Sequence, residues 1–96
     1  MAKSIMQNER ECYICANLGF HTYKYLELHH AIHGNANRRI ADKDGLTVWL
    51  CKYHHTRLHD NGEWDKELQK LAQQKWMEVY ERGVDEWIKR YGKSFL

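Results

Sequence analysis

Cys51-Lys52-Tyr53-His54-His55-Thr56-Arg57-Leu58-His59 packs one thiol and three imidazoles into nine residues. All three cysteines and all seven histidines of the chain lie between Cys12 and His59. Within the stretch, Cys51-x-x-His54 repeats the two-residue spacer of Cys12-Tyr13-Ile14-Cys15. Zinc takes four ligands in a tetrahedron, and a two-residue spacer lets one turn supply two of them. Cys12, Cys15, Cys51 and His54 are therefore the expected ligands of a structural zinc. Four protein ligands would leave no open position, so this ion would tie the N-terminal segment to the start of a helix. The plainer alternative is three buried thiols, which leaves the repeated spacer unexplained.

Lys52 to His59 reads as a helix ended by Asn61-Gly62. His55 and His59, four apart, then share one helical face and form half of a second metal site. Spacing alone does not divide His54 from His55. The i, i+4 partner of His59 is His55, which assigns His54 to the zinc. The upstream pair His29-His30 ends a segment, Lys24–His30, rich in Tyr and Leu and expected to be a strand. A second strand is expected over Leu46–Leu50. Between them, residues 33–37 read as a loop, and Arg38 to Asp44 as a polar, basic run ending in a turn at Asp44-Gly45. A long loop is thus expected to join the strands.

Residues 1–11 read as a flexible lead-in with a short helical turn. Trp64 to Glu81 shows a helical stripe of Leu68, Leu71, Ala72, Trp76, Val79 and Tyr80. Gly83 breaks it, and Val84, Trp87, Ile88 and Tyr91 form a shorter apolar face. The tryptophans fall on the stripe and the lysines outside it, which favours a packing helix over a nucleic-acid face. The chain has 96 residues, 29% charged and 43% hydrophobic, a balance that suits one globular domain. No apolar run approaches a membrane span, and Met1-Ala2-Lys3-Ser4 leads into no signal-peptide core, so a cytoplasmic protein is expected. Three cysteines cannot all pair, and a reducing compartment disfavours disulfides. A net charge of +2 permits nucleic-acid binding without demanding it.

Glu27-Leu28-His29-His30, a connection, a strand ending Leu50-Cys51, and His55-x-x-x-His59 together resemble the HNH endonuclease family. The run His29-His30, Gly34, Asn37-Arg38, Gly45-Leu46, Leu50-Cys51 and His54-His55 resembles its small zinc-stabilised phage and prophage members. The similarity extends more distantly to the phage RecA-dependent recombination nuclease. The C-terminal Tyr91-Gly92-Lys93-Ser94-Phe95-Leu96 resembles the ending of those small proteins. This resemblance implies an α+β fold with a ββα-metal (His-Me finger) core. Residues 12–60 would form the zinc-stabilised core and 61–96 a C-terminal helical cover.

The resemblance also implies roles. His30 matches the general base. His29 matches the strand's metal ligand, and His55 and His59 the helix ligands. Glu27 matches a carboxylate that orients the site. Arg38 or Arg39 would hold a phosphate. The catalytic ion would be Mg²⁺, Mn²⁺, Ni²⁺ or Zn²⁺, the substrate DNA, and the setting a bacterial host cell. Products would carry 5′-phosphate and 3′-hydroxyl ends. Leu46 stands where the family most often has its middle Asn, and Asn35 or Asn37 are candidates to replace it. Adjacent strand residues point to opposite faces, so only one of His29 and His30 can ligate the ion. Other readings stay open. His29, His55 and His59 could close a second structural zinc with His33 or Asp60. The chain could be a zinc-stabilised binding module without chemistry. It could also be a nuclease that works only with a partner such as a terminase or recombinase.

Overall fold

The computed structural model describes residues 3–96. Two antiparallel strands and five helices give an α+β architecture. Strand β1 (Leu26–His30) pairs with β2 (Thr47–Cys51) in the register Leu26 to Cys51 through His30 to Thr47. Strand alternation puts Glu27 and His29 on one face with Leu50 and Val48. Leu28 and His30 share the other face with Trp49 and Thr47. The first strand starts two residues later than the sequence suggests, because Tyr25 turns at φ 55°. The second runs one residue further, to Cys51.

Helix α1 (Tyr13–Asn17) is a single turn capped by Cys12, whose Sγ accepts the Cys15 amide. Residues 3–11 are not a flexible lead-in. Ile5 N–H donates to Gly45 O at 2.9 Å, and Trp49 N–H on the outer side of β2 donates to the Gln7 side chain at 2.8 Å. Met6 is buried and the Arg10 guanidinium lies 4.4 Å from the Trp49 ring. A two-stranded sheet is marginal alone; here this segment occupies an edge that would otherwise be open to further pairing. Met1 and Ala2, part of the expected lead-in, lie outside the described residues.

The connection between the strands is a helix and not a long loop. Helix α2 (Asn35–Asp44) runs from Gly34 to Gly45, which closes it in the left-handed conformation at φ 76°. A Cβ on Gly45 would strike the carbonyl oxygen of Lys3, so the crossing of the N-terminal segment also requires glycine here. Helix α3 (Lys52–Asn61) starts directly from β2 and ends at Gly62 with φ 74°. Its buried Leu58 anchors it to the core, and it lies across the Glu27/His29 face of the sheet.

Helix α4 (Asp65–Val79) and helix α5 (Val84–Tyr91) form the cover. Leu68, Ala72 and Trp76 of the stripe are buried, and Leu71 is half-buried, but Val79 and Tyr80 are exposed at its end. Trp76, Trp87 and Tyr91 pack together, with the Trp87 and Tyr91 rings 4.1 Å apart. Two polar residues share that interior. Gln73 holds the C-terminal tail, bonding Ser94 Oγ and the Phe95 amide. Asp44 receives Trp76 Nε1, the Nε and Nη2 of Arg90 and the Tyr91 hydroxyl at 2.6–2.9 Å. No helix among the described residues is long and apolar enough to cross a membrane.

Candidate metal centres

Cys12 and Cys15 sit around the turn of α1, while Cys51 and His54 begin α3. The His54 Nδ1 lies 3.3 Å from the sulfurs of Cys15 and Cys51 and 3.7 Å from that of Cys12. The Cys15 and Cys51 sulfurs are 3.9 Å apart. A tetrahedron with Zn–S about 2.3 Å and Zn–N about 2.0–2.1 Å has edges of about 3.8 Å between sulfurs and about 3.6 Å from sulfur to nitrogen. The Cys3His cluster therefore fits a metal ion such as zinc. All three thiols are buried and free of disulfides. Burial, and to a smaller extent Arg57, holds His54 below the usual imidazole range against the opposing pull of Glu63. A neutral ring with a free lone pair follows.

The second group joins His29 from β1 with His55 and His59 from α3, their ligand atoms all within 4.8 Å of one another. The His55 and His59 Nε2 atoms are 3.0 Å apart. Two nitrogens bound to one ion at about 2.1 Å stand about 3.0–3.4 Å apart, so the spacing suits a shared ion. His29 is 2% exposed, and its Nε2 is the one buried side-chain polar atom without a hydrogen-bond partner among the described residues. Such an orphan costs about 1–3 kcal/mol unless something binds it. Burial, then the neighbouring His55, His59, His33 and His30 rings, push the His29 pKa down to about 3. The ring is neutral at physiological pH and its lone pair is available. Glu27 Oε1 accepts the His55 Nδ1–H at 2.8 Å. A carboxylate only accepts, so this bond leaves the His55 Nε2 lone pair for the metal.

No family model, curated protein or solved structure matches the chain.

The two groups differ in closure. Among the described residues no fourth ligand joins His29, His55 and His59. His33 stands beside them, 6.0 Å from His29 between ring centroids, but its Nε2–H donates to Asp65 at 2.7 Å. Asp60 is exposed and outside the group. The three imidazoles open onto a cavity of about 280 Å³ that His30, Asn35 and Arg38 also line. Arg39 is exposed and does not reach it.

His30 points away from the three ligands, as strand alternation requires, yet reaches the same cavity because β1 ends there. Its Nε2–H donates to Asp42 Oδ1 on α2 at 3.0 Å. That contact places a proton on Nε2 and so directs Nδ1, not Nε2, toward any acceptor role. Asp42 carried no signal in the sequence, since its segment reads as a polar run rather than a helix. Of the two asparagines named in the sequence reading, Asn37 Nδ2 donates to Tyr91 O at 3.2 Å and Asn35 lines the cavity. Leu46 is fully buried, and its carbonyl accepts the Ala31 amide.

Proposed function

We propose that the chain is a metal-dependent DNA endonuclease of the HNH, ββα-metal type, with β1, β2 and α3 as its core. The observation that carries this reading is the contrast between the two metal groups. One has four protein ligands and fits a structural role. The other has three imidazoles, a carboxylate that orients one of them, and a cavity with room for water and a phosphate oxygen. A divalent cation held there would supply positive charge to a phosphodiester oxygen.

The chain's own residues would do the rest. Asp42 fixes the His30 tautomer, so that Nδ1 accepts a proton from the attacking water. Arg38 binds a non-bridging phosphate oxygen at the cavity wall. Glu27 holds His55 in the ligating orientation. The phage or prophage setting, and a terminase or recombinase partner, belong to the same proposal and rest on the sequence resemblance.

Supercoiled plasmid incubated with Mg²⁺, Mn²⁺, Ni²⁺ or Zn²⁺ is expected to be nicked or linearised. His30→Ala is expected to lower the rate about 100-fold or more. Equal activity of wild type and variant would remove His30 from the base role. The rival is a binding module, and His33 is the residue that favours it. By leaving Asp65 it could close the coordination of His29, His55 and His59. One tightly held zinc plus one exchangeable ion supports the nuclease, whereas two ions held equally tightly, without cleavage, support the module.

A further inference from the structure

A second cavity, of about 730 Å³, adjoins the histidine cavity, and the two share His33 and Gly34 as a common wall. Its basic lining is Lys66 and Lys70 of α4 and Lys93 of the C-terminal tail. Lys66 and Lys70 are four apart and so project from one face of α4. None of the three ammonium groups forms an ion pair among the described residues. Lys66 stands in the first helical turn, where the macrodipole disfavours a cation and acidic residues are the usual choice. Asp65 and Glu67 flank it in that turn and offset the helix end, and Asp65 is itself engaged by His33.

The groove is also built firmly. Asn37 bonds Tyr91 O and so ties the α2 wall to the end of α5. Trp87 Nε1 donates to Lys93 O at 2.9 Å, and Gln73 holds the Phe95 amide at 2.6 Å. These bonds fix the segment that carries Lys93, whose ammonium lies 5.6 Å from the Phe95 ring. Three unpaired cations on a fixed surface, continuous with a cavity that fits a phosphate and a metal, match a polyanion with evenly spaced charges.

We infer that the Lys66–Lys70–Lys93 groove binds the DNA backbone on one side of the phosphate held at the histidine cavity. The inference rests on the nuclease reading for its choice of DNA as occupant. The sequence favours Lys66 and Lys70 as the solvated side of a packing helix. The fold gives them a second task, because the C-terminal tail adds Lys93 and α2 brings the histidine cavity alongside.

Fluorescence anisotropy with labelled duplex DNA, over a series of salt concentrations, tests this on the full zinc-loaded chain. The triple variant Lys66→Gln, Lys70→Gln, Lys93→Gln is compared with a control of equal charge change, Lys24→Gln, Lys43→Gln, Lys89→Gln. Each phosphate contact contributes about 0.9 to the slope of log affinity against log salt, so the groove variant should lose about 2–3 units of slope. Its affinity at moderate salt should fall about tenfold or more, and the control should stay near wild type. Equal slopes in the two variants overturn the groove, as does wild type that binds no DNA. A loss confined to duplex RNA overturns the choice of DNA. Plasmid cleavage run in parallel separates this inference from the parent reading. Wild type that binds through these lysines but never cuts keeps the groove and removes the nuclease. Wild type that cuts, with KM unchanged in the groove variant, keeps the nuclease and removes the groove.

Discussion

His55 commits its two ring nitrogens in different directions. Nδ1 donates to Glu27, and Nε2 faces His59 and His29. His30 divides its ring in a comparable way, with Nε2 on Asp42 and Nδ1 left to act. Glu27 entered the sequence reading only through the family resemblance; strand alternation, once β1 is in place, explains why it shares a face with His29. Asp42 was not legible, since nothing in its neighbours places it beside His30 until α2 exists. Asp42→Asn would replace a pure acceptor by an amide that can present either group. The expected result is a kcat reduced about 10–100-fold, with KM and thermal midpoint close to wild type. A variant whose kcat matches wild type, measured by single-turnover cleavage, would show that the contact is structural only.

Helix α2 shows why hydrophobic periodicity can miss an element. Its inward face contains Ala41 but also Asn37 and Asp44, which bind the C-terminal helix instead of packing against it. With Ala36, Ile40 and Ala41 as its only apolar residues, the segment offers too short a stripe to count, so it reads as a loop. Helices α4 and α5 stand out in the sequence because their anchors are Leu68, Trp76 and Trp87, and α3 because His55 and His59 recur at helical spacing before Asn61-Gly62. The Asp44 anchor has a measurable consequence. Burial alone would raise its pKa, but hydrogen bonds from Arg90, Tyr91 and Trp76 outweigh this and hold it below the ordinary carboxylate value. A depressed folded-state pKa stabilises the fold above the unfolded value of 3.8, and the contribution is lost as pH falls through the folded value. Asp44→Asn is expected to lower the urea midpoint at pH 7, by about 1.5–3 kcal/mol of stability. The gap to wild type should then narrow below about pH 4. A gap that is constant from pH 7 to pH 3.5 would mean that the carboxylate charge contributes nothing.

At the scale of the whole molecule, a chain of 96 residues has limited apolar surface to bury. A structural zinc contributes about 10–16 kcal/mol of binding free energy in small domains, against a net stability of about 5–15 kcal/mol for typical proteins. The zinc-free chain is therefore expected to lose its cooperative fold. Chelation followed by circular dichroism should show loss of the thermal transition, regained on adding zinc. An intact transition in metal-free protein would make the Cys3His group dispensable for folding. The Cys3His group and the His55/His59 half of the second could be read from spacing because those ligand pairs sit within single turns of chain, whereas His29 came from the family resemblance. The cover could not be read fully, because Gln73 and Asp44 hold it through partners 21 to 47 residues away.

The peptide bond between His54 and His55 sets the angular phase of the chain. His54 is clamped with the three sulfurs, and each residue of a helix advances it by about 100°. One residue inserted at that bond would leave every ligand present in the sequence and both spacers intact. It would also swing His55 and His59 by about 100° away from His29. Native mass spectrometry of such a variant should count one zinc and no second ion. Retention of both would mean that α3 can rewind around its clamp. A composition unchanged in every ligand would then encode only half of the protein's metal chemistry.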